Sequence, residues 1–463
     1  MREFSLPRFA LAFDERSPKA ISVALGMVFA LRKRQLATRV VLLGSHFNLA
    51  TVFKHISGRS VLCLDYRQLN QDQILKELVR VGVSSDLLFM ISDRGFFDGQ
   101  IVGSSSGSLA DLAKLTATPV ISFYETDALS LHSAAISFQA LAESRKDYDF
   151  AGLILGLSGG LGVMAGDQSS IVRKLLPKNL LACVDLDLLD ALKTNWDASQ
   201  QVNDTLVEHS FLNKLSAGLS SSLDIQAVID IARAAPPATP DFQVVAASKR
   251  TRIAVADDSC FALSYQSNVD LLRFYGAEII PFSPISDRSL PSNIGGLYLP
   301  GAFMNDYAAD LFGNRDMIES VWRFCNSGGV VYSEGYGSAY LFSKIKLQSG
   351  KIFDGVGLYP GEIRLKNEAA IPQICGMEML DDSIIGAAGA RLSVLWPDDA
   401  KLDESEPIIK IAKVQTKKNE IYEGYSASAQ AFSTFGFICM ASHQNSAKGF
   451  VDAATVKCPI TKS

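Results

Sequence analysis

The stretch Y-S-E-G-Y-G-S-A-Y-L, residues 332–341, has the layout of a device for presenting a reactive side chain. An apolar run over 328–332 enters a sharp glycine-containing turn and an apolar, helix-like run leaves it, as in strand–turn–helix elbows that hold a nucleophile above a sheet. The apex here is Gly335, so the mount carries no nucleophile. Other chemistry-bearing residues are dispersed. Seven cysteines (Cys63, Cys183, Cys260, Cys325, Cys375, Cys439, Cys458) stand at wide, irregular spacings without a C-x-x-C, and read as buried free thiols. His46 and His55 form a pair with no third ligand, which reads as polar surface rather than as a metal centre.

Positioning such an elbow takes a scaffold, and the apolar pattern describes one. Runs over 9–13, 40–43, 87–91, 120–123 and 152–157 read as strands, and segments such as 21–34 and 108–115 between them carry apolar residues at helical spacing. That alternation predicts a parallel sheet covered by helices on both faces. Three prolines within 236–240 disfavour helix and forbid a central strand, so a linker is placed over 236–250 between domains 1–235 and 251–463. After it the pattern restarts with strands over 253–256, 278–281, 296–299 and 330–332, a second α/β domain. At 463 residues there is room for two or three full cores, and a hydrophobic fraction of 48% without a membrane-length apolar run is that of a globular protein with no membrane partner. A net charge of -5 and basic stretches as short as Arg32-Lys33-Arg34 exclude the footprint of a nucleic-acid binder. The first residues lack an apolar export core, so a cytoplasmic location is expected.

In order and content, the segments resemble the cobyrinic acid a,c-diamide synthase family, whose members amidate carboxylates of a tetrapyrrole ring. The pieces that carry the resemblance are V-A-L-G at 23–26, G-F-F-D-G at 95–99, G-S-L-A-D-L-A-K-L at 107–115 and A-G-L-I-L at 151–155. Beyond the linker they are R-I-A-V-A-D-D at 252–258, G-L-Y-L-P-G at 296–301, N-R-D-M at 314–317, S-G-G-V-V-Y-S-E at 327–334 and V-G-L-Y-P-G at 356–361. The resemblance covers nearly the whole chain. It implies an α/β protein with a P-loop-NTPase-like (dethiobiotin-synthetase-like) parallel-sheet domain followed by a class I glutamine amidotransferase-like (flavodoxin-like) α/β domain.

What the family uses for chemistry is missing at the matching positions. Its glycine-rich loop, ending Gly-Lys-Thr, closes backbone N–H groups around phosphate. The matching F-D-E-R-S-P-K-A-I-S places Phe13, Ser17 and Lys19 at glycine positions, Pro18 without a donor, Ala20 and Ile21 where Lys and Thr are expected, and Asp14 and Glu15 where phosphate charge would sit. Lys19 lies one residue early. The family's K-V-G-P-D-Y-I-D falls on 42–49, leaving Leu42, His46 and Leu49 in place of a lysine and two acids; an acid and a nucleobase asparagine become Ile91 and Gly156. In the second domain the family's Y-A-E-C-G-G-L-M-Y-L puts the catalytic cysteine at Gly335, and its H-L-H pattern, which supplies the base, falls on Phe437 and Cys439. Cys325 and Cys439 stand elsewhere than the elbow, and His443 reads as surface. Pro300 and Ala302 replace oxyanion-turn glycines, and 394–398 replaces a His-rich stretch. No catalytic residue and no metal site is therefore assigned.

Polar positions that persist are Asp65, Asp98, Ser108 and Asp258, with Phe261, Tyr265 and Asn268 in the segment that, in the family, begins the second domain near the cleft for the tetrapyrrole acid. Two readings stand for them: ligand contact, or a turn cap at Asp98 and i,i+4 packing of Phe261 with Tyr265. The expected protein is a non-catalytic relative that binds a tetrapyrrole-type polycarboxylate, or that joins a homo-oligomer or a hetero-oligomer with an active homologue. The alternative is an amidoligase using ammonia, and only that reading calls for ATP and Mg as cofactors.

Overall fold

Strand β1 (Arg8–Ala12) is buried at every position and apolar from Phe9 onward, as expected of a strand covered on both faces. In the computed structural model, which describes residues 6–14, 17–100, 103–127, 129–158, 180–186, 223–237, 245–366 and 372–460, it is the middle of a seven-stranded parallel sheet. The order is β3-β2-β4-β1-β5-β6-β7, with β2 (Thr38–Leu43), β3 (Leu62–Leu64), β4 (Leu87–Ser92), β5 (Val120–Thr126), β6 (Phe150–Leu157) and β7 (Leu180–Asp185). Helices α1 (Pro18–Lys33), α2 (Phe47–Ser57), α3 (Gln71–Gly82), α4 (Leu109–Leu115), α5 (Leu131–Ser144) and α6 (Ile225–Arg233) alternate with the strands. Their starts follow from capping side chains: Ser17 on α1 with Pro18 in the first turn, an Asn70/Gln73 capping box on α3, Ser108 on α4 and Asp224 on α6. The helix read from the sequence over 21–34 thus begins earlier, at Pro18, because proline suits a first turn whose N–H has no partner.

The chain divides into two compact units, Met1–Val244 and Val245–Ser463. The second opens with β8 (Thr251–Ala256), β9 (Phe261–Leu263), α7 (Gln266–Phe274), β10 (Ala277–Phe282), β11 (Gly296–Leu299), β12 (Gly301–Ala302), α8 (Met304–Gly313), α9 (Arg315–Asn326), β13 (Val330–Glu334) and α10 (Tyr336–Ala339). There follow β14 (Phe342–Lys346), β15 (Ile352–Asp354), β16 (Tyr359–Leu365), β17 (Gln373–Met379), β18 (Arg391–Trp396), β19 (Ala400–Asp403), β20 (Ile409–Gln415), β21 (Glu420–Ser426), β22 (Ala431–Thr434), β23 (Phe437–Ile438) and α11 (Asn445–Lys457). Its main sheet runs β10-β8-β11-β13-β22-β21-β20-β17-β18-β23. The first five strands are mutually parallel and, counted in chain order, stand as 2-1-3-4-5, the flavodoxin arrangement. The other five are antiparallel, an extension the sequence reading did not contain. Among the described residues no helix is long and apolar enough to cross a membrane.

The central strands of the first unit pack apolar side chains against one another, with Phe9 stacked on Phe89 and ring centroids 4.8 Å apart. Phe89→Ala removes a wholly buried ring and is expected to lower the unfolding free energy by about 3–5 kcal/mol. Urea denaturation of the full chain followed by circular dichroism measures this, and a loss below about 1 kcal/mol would contradict a sealed core around β1 and β4.

Candidate functional site

Gly335 links β13 to α10 with φ 55° and ψ −140°, backbone angles that side-chain-bearing residues rarely adopt. The sharp turn of a nucleophile elbow is therefore present. The space above it is not. A Cβ built on Gly335 would stand 2.6 Å from Cζ and 2.9 Å from Cε1 of Phe437, and one on Gly301 would stand 2.8 Å from the same Cζ. Phe437, at a position where a base is expected from the family pattern, places its ring where a nucleophile's side chain would project. Cys439 is buried beyond it, its N–H donating to Ser393 O, and Cys325 is buried on α9. His443 departs from the surface role read for it. It is half-buried, with Nδ1 shielded from solvent and without a hydrogen-bond partner.

A polar frame holds the strand that carries this ring. Glu334, fully buried one residue before the apex, accepts from Tyr298 Oη at 2.6 Å, Tyr332 Oη at 2.7 Å and Ile438 N at 3.3 Å. Burial pushes its carboxyl up to about 7 against the opposing pull of those donors. Asn268 donates Nδ2 to Ile438 O at 2.8 Å and accepts from Met440 N at 3.0 Å. A second buried carboxyl, Glu423, accepts from Phe435 N at 2.6 Å and is likewise raised by burial to about 7. Beneath the elbow Ser333, Ser338, Ser433 and Tyr359 form a buried hydroxyl chain. Sequence reasoning missed Glu334, although a carboxylate closing the apolar strand V-V-Y-S-E was its visible signal.

The remaining candidates of this unit are packed or turn-forming. Phe261 and Tyr265 are core residues but not one helical i,i+4 pair: Phe261 lies in β9, behind a turn closed by the Asp258 carboxylate, and Tyr265 is the residue before α7. That carboxylate accepts from Cys260 N, Phe261 N, Ser283 Oγ and Ile285 N. With Asn268 wholly buried as well, none of these three side chains faces solvent in this unit.

In the first unit, the segment at the position of the family's phosphate loop makes its contacts within the chain. Ser17 Oγ accepts from Ala20 N at 3.1 Å, Ser17 O accepts from Ile21 N at 3.2 Å, and Pro18 has no N–H. Ser17 Oγ donates to Glu125, and Lys19 Nζ lies 3.6 Å from that carboxylate. Glu15 lies outside the described residues. Beside Phe13 the space is filled by Phe96, Phe97, Phe123 and Phe150, leaving a cavity of about 10 Å³, room for a single water. The residues present thus do not fit Mg·ATP. Asp65 is buried and bound by Arg67, Ser108 is the α4 cap accepting from Asp111 N, and Asp98 is exposed in a turn closed by its N–H to Gly95 O. His46 and His55 sit at opposite ends of α2, about 13 Å apart along its axis, too far to share an ion. Among the described residues no group of three or more His, Cys, Asp or Glu is placed to hold a metal.

The parallel sheets and the elbow define a two-unit α/β protein whose second unit is of the glutamine amidotransferase type, and the profile of the CobB/CobQ-like glutamine amidotransferase domain matches residues 252–394. Over most of its length the chain is similar to cobyrinate a,c-diamide synthases. It is 27% identical to the cobyrinate a,c-diamide synthase of Dehalococcoides mccartyi over 84% of each chain, and 25% identical to that of Leptospira interrogans over 98% of this chain and 99% of the relative. Among solved structures, PurLQS from Thermotoga maritima matches 45% of this chain and 98% of its own at 11% identity, with a TM-score of 0.34.

Two outcomes follow from this geometry. Gly335→Cys combines a strained φ with a clash against Phe437 and is expected to destabilise the chain by about 2–5 kcal/mol. Phe437→Ala in the same chain should recover part of that loss, so a thermodynamic cycle by chemical denaturation that shows simple additivity would refute the shared space. The second outcome concerns pH. Folded Glu334 and Glu423 hold their protons to about 7, whereas the ordinary glutamate value is 4.5. These two groups then bind more protons in the folded chain between those values, so the stability they contribute is full below 4.5 and is lost as pH rises to about 7. Glu334→Gln should flatten that slope; an unchanged slope would rule out Glu334 as its source.

Proposed function

We propose that this chain is a non-catalytic relative of cobyrinate a,c-diamide synthase that works by binding, either a tetrapyrrole-type polycarboxylate or an active homologous subunit. The observation that carries the reading is the Phe437 ring in the nucleophile's space above Gly335. A thioester needs a thiolate at that apex and a base beside it, and glycine with a phenyl ring supplies neither. The engaged N–H groups at the start of α1 and, among the described residues, the lack of a cluster of acids placed to hold a metal support the same reading for the nucleotide half. Similarity to the diamide synthases over 84–98% of the chain supports the ligand class and the homologous partner.

The test uses the purified full chain. Titration into uroporphyrin, a tetrapyrrole polycarboxylate, should give a saturable shift of the visible absorbance, or else mixing with an active diamide synthase should give a stoichiometric complex in sedimentation. Glutamine and Mg·ATP should be turned over no faster than in a blank. Release of glutamate, or acid-dependent ATP hydrolysis with ammonia, would overturn the proposal, as would failure of both binding arms.

A further inference from the structure

Helix α11 starts without the usual means of satisfying its first turn. Gln444, the residue before it, makes no side-chain capping bond, and no acidic side chain stands in that turn. Its charged side chain, Lys448, reaches along the helix to Asp452 at 2.6 Å. Thirteen residues thus bring the positive end of a helix dipole to a point that has no counter-charge in its own turn. Two side-chain groups at the same place are also unmatched. Ser446, the second residue of α11, is fully buried, and its Oγ has no hydrogen-bond partner. His443, three residues earlier, has its Nδ1 shielded from solvent and without a partner. Ser446 N donates to His443 O at 3.2 Å, so the chain turns between them. A helical Cβ leans toward the N-terminus and positions three apart share a face, which directs the Ser446 hydroxyl toward His443. The neighbouring Ser442 is matched in the ordinary way, its hydroxyl donating to Cys439 O at 2.6 Å and accepting from Ser393 N at 3.2 Å.

We propose that the start of α11 is a binding site for a small oxyanion, a phosphate or carboxylate group, held by the Ser446 hydroxyl, the His443 Nδ1–H and the backbone N–H groups of the first turn. The class of guest follows from the groups that await it. A serine O–H and an imidazole N–H can both donate, so the guest must accept. The uncapped helix end favours negative charge and offers further donors around it. Buried polar groups are matched in folded proteins almost without exception, and here a single compact acceptor matches two at once. Gln444 and Asn445, between the pair in sequence, are exposed, so the site lies close beneath the surface. It goes beyond the binding role proposed above and stands whether or not that role holds, since neither Gly335 nor Phe437 takes part in it.

Thermal unfolding of the full chain at constant ionic strength, with inorganic phosphate in one arm and acetate in the other, tests this. At least one probe should raise the Tm of the wild type saturably, and the arm that does so tells which group is held. Ser446→Ala, which removes one oxygen and adds no bulk, should weaken the response at least about tenfold. His443→Phe, which keeps a ring but no nitrogen, should weaken it as much. The imidazole ¹⁵N signals of His443 in the wild type should move with the same saturation, a reading that does not depend on how well the variants fold. No response in either arm, which would leave the pair to water, would overturn the proposal. So would a response that either variant keeps in full, or one that leaves the His443 signals in place.

Discussion

The phenyl ring of Phe437 requires room that exists only because neither Gly335 nor Gly301 carries a Cβ. Around that requirement the second unit arranges its polar frame. Glu334 holds the N–H of Ile438 and Asn268 holds the carbonyl of the same residue, so the strand bearing the ring is gripped on both sides of its backbone. The elbow keeps its unusual backbone angles although no nucleophile remains to benefit from them. Strain of that kind persists only where packing over-determines it. Here the buried hydroxyl chain through Ser333, Ser338 and Ser433 joins β13, α10 and β22 beneath the turn and fixes the path of the chain through it.

The first unit reaches a comparable end by other means. A phosphate loop works by leaving its backbone donors unemployed until a nucleotide arrives. Around Ser17 the donors of Ala20 and Ile21 are engaged, and the apolar space beside Phe13 is packed with aromatic rings. In both units the backbone and side-chain groups at these turns are held in contacts within the chain itself.

Much of the architecture was legible from residues alone. Strands buried on both faces, such as β1, β4 and β6, announce themselves as unbroken apolar runs, and the proline cluster near 236–240 breaks both patterns at once. Short or half-exposed strands were not legible. β3 has three residues, and the antiparallel strands β17, β20 and β21 mix buried with exposed positions and carry charged residues that resemble loop. At the site, the empty apex at Gly335 was readable because glycine at an elbow is a fact of sequence. Phe437 as its occupant was not, since nothing in a linear pattern says that residues a hundred positions apart share a few ångströms. Asn268 was visible only as a polar residue in need of partners, and the partners proved to be backbone groups of Ile438 and Met440.

Helix α11 lies on β8, β11 and β13, and Thr251 Oγ1, on the first strand of the unit, donates to Ala454 O and Cys458 O near its last residues. The strand made earliest is thus covered by the helix made latest. During synthesis β13 has no neighbour on its β22 side until residues 431–434 have left the ribosome, and the apolar faces beneath α11 stay wet for longer still. Such long-range closure is slow and exposes adhesive strand edges meanwhile. The second unit therefore ripens as a whole, and its nascent form exposes strand edges that the finished protein hides.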